Sequence, residues 1–578
     1  MSKQMARKTP LNLAVNAARP AIVVAVIFSL FINVLALVSP LYMLQVYDRV
    51  LTSRSESTLL FLTLIVVFLL LVYAALEHLR TQALLRGGVR YDEVLQSPVF
   101  ASIFFARLRK GAGNDAQGIR DTDTIREFLT GSGLIAFCDV PWIPVFVVVS
   151  CLLHPVFGLI AVIGGLVIFS LALANEFATR SALNKASVAG MMAQNDVTAT
   201  LRNSEVMRAM GMWGGLQRRW QERRDELIDW QATASSRGGG IMSAIKFSRA
   251  VLQTFILGTG AYLAIKGSIS AGSMIAASIL VGRALAPIEA AVGQWKTFVN
   301  ARAAWARLQA LFAMTDDQQE RMNLPAPKGR LAIDSIVVTP PGSRVAAVRG
   351  VSFVLEPGTS LGLIGPSAAG KSSLARAIVG VWPAAMGGIR LDGFEIKQWD
   401  PEALGQHIGY LPQDVELFAG SIAENIARFR QVDSAQVLEA AQLAGVHEMI
   451  QQLPEGYDTQ IGEGGLTLSG GQRQRIGLAR CLYGKPALIV LDEPNASLDA
   501  PGEAALVKAV EHLKQNRQTL IFITHKTNIL GVADKILMLN QGAVQLFGDR
   551  DEVLAKIFGG PRPVASQISA HHSQAQAV

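Results

Sequence analysis

The chain has 578 residues, of which 50% are hydrophobic and 17% are charged, and its formal net charge is +8. This length exceeds what one hydrophobic core usually organises, so we expect two or more domains. The apolar composition argues against an ordinary soluble protein. A positive charge can indicate nucleic-acid binding, but here the basic residues cluster beside apolar runs. This favours a membrane protein with basic cytoplasmic segments and no nucleic-acid partner.

Six apolar stretches in the first half of the chain are long enough, or nearly so, to cross a bilayer. They are residues 21–43, 58–76, 135–153, 156–175, 248–265 and 271–291. The sixth is the weakest by sequence, because it contains several small residues and the charged Arg283. The sequence thus predicts an all-α transmembrane domain with six spans.

Basic residues indicate the orientation of these spans. Four of them precede the first span, and the long connections 77–132 and 176–246 are also rich in Arg and Lys. Because basic segments stay in the cytoplasm, the N-terminus and both connections are predicted to be cytoplasmic. The patterning of 118–129 and 191–212 predicts helices. Extensions of the spans that contact the following domain are favoured over ordinary solvated helices.

Charges and thiols near the spans suggest few special roles. Arg283 and Glu289 lie in or near the sixth span, where a charge usually faces protein or a wet cavity. For Arg283, a pathway-lining role and snorkelling to the interface stay open alternatives. Asp139, at the start of the third span, is expected at the interface. Cys138 and Cys151 would lie about 20 Å apart on a helix, which is too far for a disulfide.

Shifts in composition divide the chain into five segments. They are a cytoplasmic N-terminal segment at 1–20, a transmembrane domain at 21–312, a linker at 313–330, an α/β domain at 331–558 and a polar tail at 559–578. The linker is hydrophilic and contains Pro325 and Pro327, as connecting segments often do. The tail lacks hydrophobic periodicity, so we expect it to be disordered.

A phosphate-binding loop is predicted at residues 365–372, which read Gly-Pro-Ser-Ala-Ala-Gly-Lys-Ser. An apolar strand at 359–364 leads into this phosphate loop, and a helix at 372–379 follows it. Strand, glycine-bearing loop and helix in this order can cradle a phosphate group. A glycine turn beside a surface lysine is the alternative when this motif stands alone.

The residue types of the phosphate loop suit individual tasks. Gly365 and Gly370 would let backbone N–H groups approach phosphate oxygens. Lys371 would reach the β- and γ-phosphates, and Ser372 would ligate Mg²⁺.

A second element with fitting chemistry is the apolar run at 487–491, which ends in Asp492 and Glu493. Asp492 could hold the Mg²⁺ shell, and Glu493 is placed to activate water. The alternative for Glu493 is a carboxylate at a strand end that is bound to a nearby helix. The presence of both Lys371 and Asp492 favours the catalytic interpretation.

Two further polar residues follow short apolar strands. Gln413 carries a neutral amide that can contact Mg²⁺ or water and release them again. His525, in the sequence Ile523-Thr524-His525, ends another apolar strand. Alone, a histidine in such a place is usually a satisfied core residue, and only the surrounding motifs favour a functional role.

The segment 468–472, Leu-Ser-Gly-Gly-Gln, precedes a predicted helix at 473–482. We call it the signature segment. Ser469, Gly470, Gly471 and Gln472 would form a second anion site at a helix N-terminus. One chain cannot easily point both glycine-bearing loops at one phosphate, whereas two chains arranged head to tail can. The sequence therefore predicts a homodimer.

In this order and spacing, the motifs resemble the ATPase domain of ABC transporters throughout 331–558. The parts that carry the resemblance are the phosphate loop, Gln413, the signature segment, Asp492, Glu493, the loop 495–499 and His525. Six preceding spans resemble an ABC exporter half-transporter. The implied fold is an all-α six-span transmembrane domain followed by an α/β P-loop (ABC-type) nucleotide-binding domain.

Four segments support a narrower resemblance, to the type I secretion ATPases of the protease-exporting (PrtD-like) branch. They are 139–144, 202–212, 409–418 and 491–495. This resemblance implies an inner-membrane homodimer that exports unfolded polypeptides with a C-terminal signal. It also implies a periplasmic adaptor and an outer-membrane channel as partners. An exporter of lipid, drug or small peptide stays an alternative, as does a membrane-tethered regulatory ATPase that transports nothing.

The resemblance implies ATP and Mg²⁺ as cofactors and a role for each site residue. Phosphate would be held by Lys371 and by the loop residues Gly365, Ser367, Ala368, Ala369, Gly370, Ser372 and Ser373. Mg²⁺ would be served by Ser372, Gln413 and Asp492, while Glu493 polarises water and His525 grips the γ-phosphate. The signature segment would act on the ATP of the partner chain, and segments 118–129 and 200–212 resemble coupling helices. The stretch 338–342 lacks the aromatic residue on which many relatives stack adenine.

Overall fold

The structure is a computed structural model that describes residues 9–110, 117–315, 322, 324–462, 465, 468–496, 498 and 500–558. The predicted tail at 559–578 and parts of the N-terminal segment and linker lie outside the described residues. The chain divides into two compact units. One contains residues 1–107 and 112–316, and the other contains 108–111 and 317–578.

The first unit is built of helices, because its sequence consists of long apolar runs joined by amphipathic segments. They are α1 (Pro10–Leu35), α2 (Val38–Gln45), α3 (Leu51–Ser53), α4 (Glu56–Lys110), α5 (Gln117–Thr130), α6 (Ser132–Asp139), α7 (Ile143–Leu153), α8 (Pro155–Arg202), α9 (Ser204–Ala209), α10 (Trp213–Ile265), α11 (Ala271–Gly293) and α12 (Trp295–Thr315). A π-helical turn at Val46–Val50 and a 3₁₀ turn at Val140–Trp142 interrupt the series.

Six helical stretches among the described residues are long and apolar enough to cross a membrane, as predicted. They are Pro10–Ser53, Glu56–Arg109, Ser132–Leu153, Pro155–Leu201, Trp213–Ile265 and Ala271–Gly293. Helices α4, α8 and α10 contain 55, 48 and 53 residues. At 1.5 Å per residue they are roughly 70–80 Å long, well beyond the ~30 Å hydrocarbon core. Residues 191–202 of the predicted helix 191–212 continue α8 and 204–209 form the short helix α9, whereas 118–129 lies in the separate helix α5.

The ranking of the sixth span as the weakest was wrong. The lowest mean hydropathy belongs to the fifth span, and half of the most apolar stretch of the sixth is buried within the unit. Small side chains explain this burial, because they let neighbouring helices approach closely. Ala277 and Val281 of α11 share one core cluster with Ile245 and Ile256 of α10.

Ion pairs join charged residues of different spans. Arg80 of α4 is 3% exposed. It donates hydrogen bonds to Asp139 at 2.8 Å and to Ser29 at 2.9 Å. Asp139 is thus the counter-ion of a buried arginine rather than a simple interfacial residue. Glu289 accepts a hydrogen bond from Arg249 at 2.5 Å.

The remaining expectations for the spans concern Arg283 and two thiols. Arg283 is exposed and has no ion pair among the described residues, so its two interpretations stay open. Cys138 and Cys151 are free thiols, as expected from their spacing.

The second unit combines sheets with surrounding helices. Its strands are β1 (Leu331–Val338), β2 (Val348–Leu355), β3 (Ser360–Ile364), β4 (Met386–Leu391), β5 (Phe394–Glu395), β6 (Ile408–Leu411), β7 (Gly420–Ser421), β8 (Gln460–Ile461), β9 (Leu488–Asp492), β10 (Thr519–Ile523), β11 (Lys535–Asn540) and β12 (Ala543–Asp549). Its helices are α13 (Lys371–Ile378), α14 (Pro401–His407), α15 (Ile422–Ile426), α16 (Ser434–Leu443), α17 (His447–Gln451), α18 (Gly470–Leu482), α19 (Ala500–Gln515), α20 (Thr527–Leu530) and α21 (Arg550–Phe558).

The central sheet has six strands in the order β12-β11-β3-β10-β9-β6. All adjacent pairs are parallel except β11 with β12. A second sheet, with the order β2-β1-β4-β5, is antiparallel. Strands β3, β9 and β10 consist almost entirely of buried residues, which explains their continuous apolar sequences. Because β3, β6, β9 and β10 are parallel, their carboxyl ends meet at one edge of the sheet.

Asp534 ties the opposite, amino-terminal edge of this sheet together. Its carboxylate accepts hydrogen bonds from the backbone N–H and the hydroxyl of Ser360, at 2.9 and 2.7 Å, and from Lys514 at 2.7 Å. Burial alone would raise the pKa of Asp534, but the hydrogen bonds from Lys514 and Ser360 outweigh it and lower the pKa. The ionised carboxylate therefore stabilises the folded domain.

Replacing Asp534 by Asn is expected to lower the unfolding free energy at neutral pH by about 1 kcal/mol, since its partly exposed side chain is screened by solvent. This loss of unfolding free energy is complete above the ordinary aspartate pKa near 3.9. It becomes smaller as the pH falls through the lower pKa that Asp534 has in the folded protein. Thermal unfolding between neutral and acid pH measures it. Asp551→Asn, at an exposed carboxylate beside Arg550, is the control. A loss that persists unchanged in acid would contradict the assignment.

Candidate active site

The phosphate loop lies at the carboxyl end of β3 and leads into α13. Gly365 has φ +148° and Gly370 has φ +97°. A Cβ atom at Gly365 would lie 2.1 Å from the carbonyl oxygen of Leu539, and one at Gly370 would lie 2.2 Å from that of Ala347. Both positions therefore require glycine. The phosphate loop packs closely against neighbouring backbone, which distinguishes it from an ordinary surface turn.

Lys371 is folded into this loop. Its ammonium group donates hydrogen bonds to the carbonyl oxygens of Gly365 at 2.7 Å and Pro366 at 2.9 Å. The residue is 7% exposed, so the alternative of a surface lysine is wrong. Burial lowers the pKa of Lys371, and the carboxylates of Glu493 and Asp492 act in the opposite direction. The charge sits where the first backbone N–H groups of α13 also attract anions.

Ser372 and Asp492 form a set of oxygen atoms that fits Mg²⁺. The Ser372 hydroxyl donates a hydrogen bond to Oδ1 of Asp492 at 3.2 Å. Asp492 is fully buried, and its Oδ2 has no hydrogen-bond partner among the described residues. Burial raises the pKa of Asp492, although the hydrogen bond from Ser372 lowers it. A buried carboxylate oxygen that lacks a hydrogen-bond partner and lies beside a hydroxyl group is a suitable ligand for a cation.

Glu493 begins the turn after β9 with a left-handed backbone, φ +49°. Its Oε2 accepts a hydrogen bond from the amide of Gln413 at 3.1 Å. His525 Nε2 lies 3.9 Å from its Oε1. The carboxylate of Glu493 is thus hydrogen-bonded to Gln413 and lies near His525. Among the described residues it makes no hydrogen bond to a helix terminus, which was the alternative for this residue. The structure brings together the predicted residues at the ends of β6, β9 and β10.

The signature segment lies at the N-terminus of α18. Ser469 is the N-cap: its hydroxyl accepts a hydrogen bond from the backbone N–H of Gln472 at 3.3 Å. The Gln472 side chain in return accepts one from the Ser469 backbone N–H at 2.8 Å. Ser469 and Gly470 are exposed. Among the described residues, no hydrogen bond joins the signature segment to the phosphate loop. The two predicted anion sites are therefore not linked by hydrogen bonds within one protomer.

Gln474 is a site residue that the sequence analysis missed. It is 4% exposed, and its amide donates a hydrogen bond to the backbone carbonyl of Glu493 at 3.2 Å. It therefore links the signature helix α18 to the turn that carries Glu493. Its place two residues after the signature segment is the only signal that could have suggested it.

Arg428 is a second residue that the sequence did not reveal. Its guanidinium group donates hydrogen bonds at 2.7–3.1 Å to four backbone carbonyls, those of Gly405, Ile408, Arg480 and Cys481. These contacts fasten the C-terminal end of α18 to β6, the strand that leads to Gln413. Burial lowers the pKa of Arg428. An arginine in a loop gives no sequence signal for such a position.

Both units match known families. Residues 22–285 match the family model described as the ABC transporter transmembrane region, and residues 348–496 match the model described as ABC transporter. The solved structure of a bacterial Atm1-family ABC exporter with ATP bound has the same fold. Its TM-score is 0.81 at 23% identity, over 95% of this chain and 99% of that one. Fold and site thus define an ABC transporter, with ATP and Mg²⁺ as its cofactors.

A narrower relationship follows from two curated relatives. The chain is 43% identical over 546 residues to the type I secretion system ATP-binding protein PrsD of Rhizobium meliloti (strain 1021), covering 94% of each. It is 28% identical to the toxin RTX-I translocation ATP-binding protein of Actinobacillus pleuropneumoniae, covering 94% of this chain and 77% of that one. The chain therefore belongs to the family of ABC transporters that includes the type I secretion ATP-binding proteins. It is a multi-pass membrane protein and a transport-coupled ATPase, as predicted.

Proposed function

We propose that this protein is the inner-membrane ATPase of a type I secretion system, and that it exports unfolded polypeptides with a C-terminal signal. The observation that carries this proposal is the 43% identity with PrsD over 94% of both chains. In this proposal the protein works as a homodimer with a periplasmic adaptor and an outer-membrane channel. The ATPase domain faces the cytoplasm in this proposal, and the basic connections support that orientation.

The proposed division of labour follows the predicted segments. Residues 21–312 form the transport domain, 313–330 the linker and 331–558 the ATPase domain, with polar ends at 1–20 and 559–578. Segments 118–129 and 200–212 are proposed to couple the two domains.

Each residue of the site has a proposed task in ATP hydrolysis. Lys371 and the backbone N–H groups of 367–373 hold the phosphates, since fixed donors stabilise charge best where water is excluded. Ser372, Asp492 and Gln413 would hold Mg²⁺, which supplies charge neutralisation at the phosphates when bound.

Three side chains at the strand ends act on the reacting groups. Glu493 accepts a proton from the attacking water or orients it. The amide of Gln413 donates a hydrogen bond to Glu493 and orients its carboxylate. Because the amide is neutral, this hydrogen bond is weak and the carboxylate can be released. His525 is placed to contact the γ-phosphate.

The signature segment completes the site in a second copy. Ser469 keeps its hydroxyl proton free while its oxygen caps α18, so the group can donate to a phosphate oxygen. Gly470 and Gly471 contribute N–H groups of the first helical turn. ATP then favours the closed pair because it makes contacts with both chains only in that state, and hydrolysis removes this preference. A homodimer has two complete sites, which favours a pump over a regulatory ATPase.

The test is ATP hydrolysis by the protein reconstituted in liposomes. A synthetic C-terminal secretion peptide is expected to stimulate hydrolysis, whereas a scrambled peptide of the same composition is not. Export of the cargo should then require the adaptor and the channel in cells that carry all three components. Stimulation by lipids or small apolar drugs, without any response to the peptide, would favour the alternative exporter. Hydrolysis without transport of any of them would favour a regulatory ATPase.

A further inference from the structure

A groove of about 500 Å³ lies between α1 and α4 on the surface of the helical unit. We call it the α1–α4 groove. One side is apolar and contains Val24 and Phe28 of α1. The other side, formed by α4, is mixed: it contains the polar residues His78, Gln82 and Arg86 together with Leu79 and Ala83. A ligand that fits this groove needs an apolar part and an anionic part.

The contact between α1 and α4 indicates where the groove lies relative to the membrane. A Cβ atom at Gly87 would lie only 2.6 Å from the Cβ of Ala21, so α1 and α4 touch at this level. Ala21 begins the apolar run of the first span. Arg86 is therefore level with the cytoplasmic boundary of that span, and Val24 and Phe28 lie one and two turns deeper.

The exterior of α4 stays apolar around the groove. Leu79, Leu85 and Val89 are 50%, 45% and 53% exposed. Exposed large apolar side chains mixed with polar ones are typical of a helix that passes through the headgroup region of a bilayer. The groove thus opens toward lipid at the cytoplasmic leaflet.

No ion pair of Arg86 is found among the described residues. His78, Gln82 and Arg86 are spaced by four residues and therefore share one face of α4. Arg86 is exposed. Helical side chains generally point toward the N-terminus of their helix, which for α4 is the direction of the membrane span. Arg80, on the same helix, is instead buried and paired with Asp139.

We propose that the α1–α4 groove binds an anionic phospholipid of the cytoplasmic leaflet. Arg86 binds the phosphate, with Gln82 and His78 as further polar partners, and an acyl chain lies along Val24 and Phe28. Basic pockets between spans on the cytoplasmic side bind such headgroups in other membrane proteins. A free phosphate would satisfy Arg86 but would leave the apolar side of the groove without a partner.

The test uses the full-length protein in nanodiscs of phosphatidylcholine, with or without phosphatidylglycerol, and native mass spectrometry to count retained lipids. The wild type is expected to retain phosphatidylglycerol in preference to phosphatidylcholine. Arg86→Gln should weaken this retention about fivefold, the contribution of one interfacial cation. Arg86→Lys should largely restore it. Arg90→Gln is the matched control, because Arg90 is exposed one turn further along α4 but does not line the groove.

Several results would overturn the proposal. Equal retention of phosphatidylglycerol by the wild type and by Arg86→Gln would remove Arg86 as its ligand. Equal retention of phosphatidylcholine would show that the anionic headgroup is not recognised. Displacement of the lipid by inorganic phosphate would assign the site to a soluble anion. The wild type has an exposed cysteine, Cys151, and serves as the control for a Gln82→Cys variant. A disulfide-linked dimer that forms only in the variant would show that a second copy covers the groove.

Discussion

Glu493→Gln is expected to slow ATP hydrolysis at least about a hundredfold while ATP binding stays close to wild type, because a general base typically contributes a factor of 10²–10⁴. The amide has the same shape as the carboxylate and still offers an oxygen to Gln413, which donates to Oε2 at 3.1 Å in the wild type. The phosphate loop and Lys371 are untouched. The variant should therefore bind ATP and accumulate as the closed dimer.

Two measurements check this expectation. One is the hydrolysis rate, and the other is the fraction of dimerised ATPase domains with ATP and Mg²⁺. Glu439→Gln serves as the control, since Glu439 lies on the surface of α16 and pairs with Lys485 at 2.8 Å. It should hydrolyse ATP like the wild type. Rapid hydrolysis by Glu493→Gln would instead assign the water-activating role to another group, of which His525 is the nearest candidate.

The sequence could predict the site because its residues lie in short motifs that follow apolar runs. Gln413, Asp492 and His525 each lie at or just after the end of a strand, and parallel strands place such ends on one edge of a sheet. The strand order could not be predicted in this way. β10 lies between β3 and β9 although it follows both in the chain, and only tertiary packing determines that neighbour.

The missed residues share a physical reason. Gln474 and Arg428 act through backbone carbonyls, of Glu493 in one case and of four residues near α18 and β6 in the other. A backbone carbonyl is present at every position, so no residue pattern marks the acceptor. The same holds in the helical unit for Arg80 and Asp139, which are 59 residues apart in sequence. Their pairing depends on which helices become neighbours.

The misjudged sixth span shows the limit of composition in the membrane. Hydropathy measures how well a helix tolerates lipid, whereas a span in the interior of a bundle is in contact mainly with protein. Small residues such as Ala276 and Ala277 are less apolar than Leu or Ile but allow α11 to pack closely, and both are almost fully buried. The small residues of this stretch therefore indicated close packing inside the helical unit rather than a doubtful span.

Two kinds of mixed dimer are expected to differ sharply in ATP hydrolysis, and the difference tests whether the signature segment acts on the partner's nucleotide. The substitutions are Lys371→Ala, which removes the ammonium group proposed to bind phosphate, and Ser469→Asp. Aspartate is a good N-cap, so α18 should keep its cap, while its charge repels phosphate. Each homodimer should lose at least about a hundredfold in rate, because every site lacks one group that stabilises charge.

In the first mixed dimer, one chain carries Lys371→Ala and the other carries Ser469→Asp. If sites form between chains, both defects fall in one site and the second site is intact, so up to about half of the wild-type rate should return. In the second mixed dimer, one chain carries both substitutions and the other is wild type. Each site then contains one defect, and hydrolysis should stay low.

The two mixed dimers contain the same substitutions in the same numbers, so the number of missing groups alone cannot explain a difference between their rates. Two affinity tags allow each to be isolated before the assay. A site completed within one chain predicts the reverse order, because the wild-type chain of the second dimer would keep a whole site. That reversal would contradict the exchange of signature segments. It would also remove the reason for ATP to favour the closed pair, since the nucleotide would no longer contact both chains.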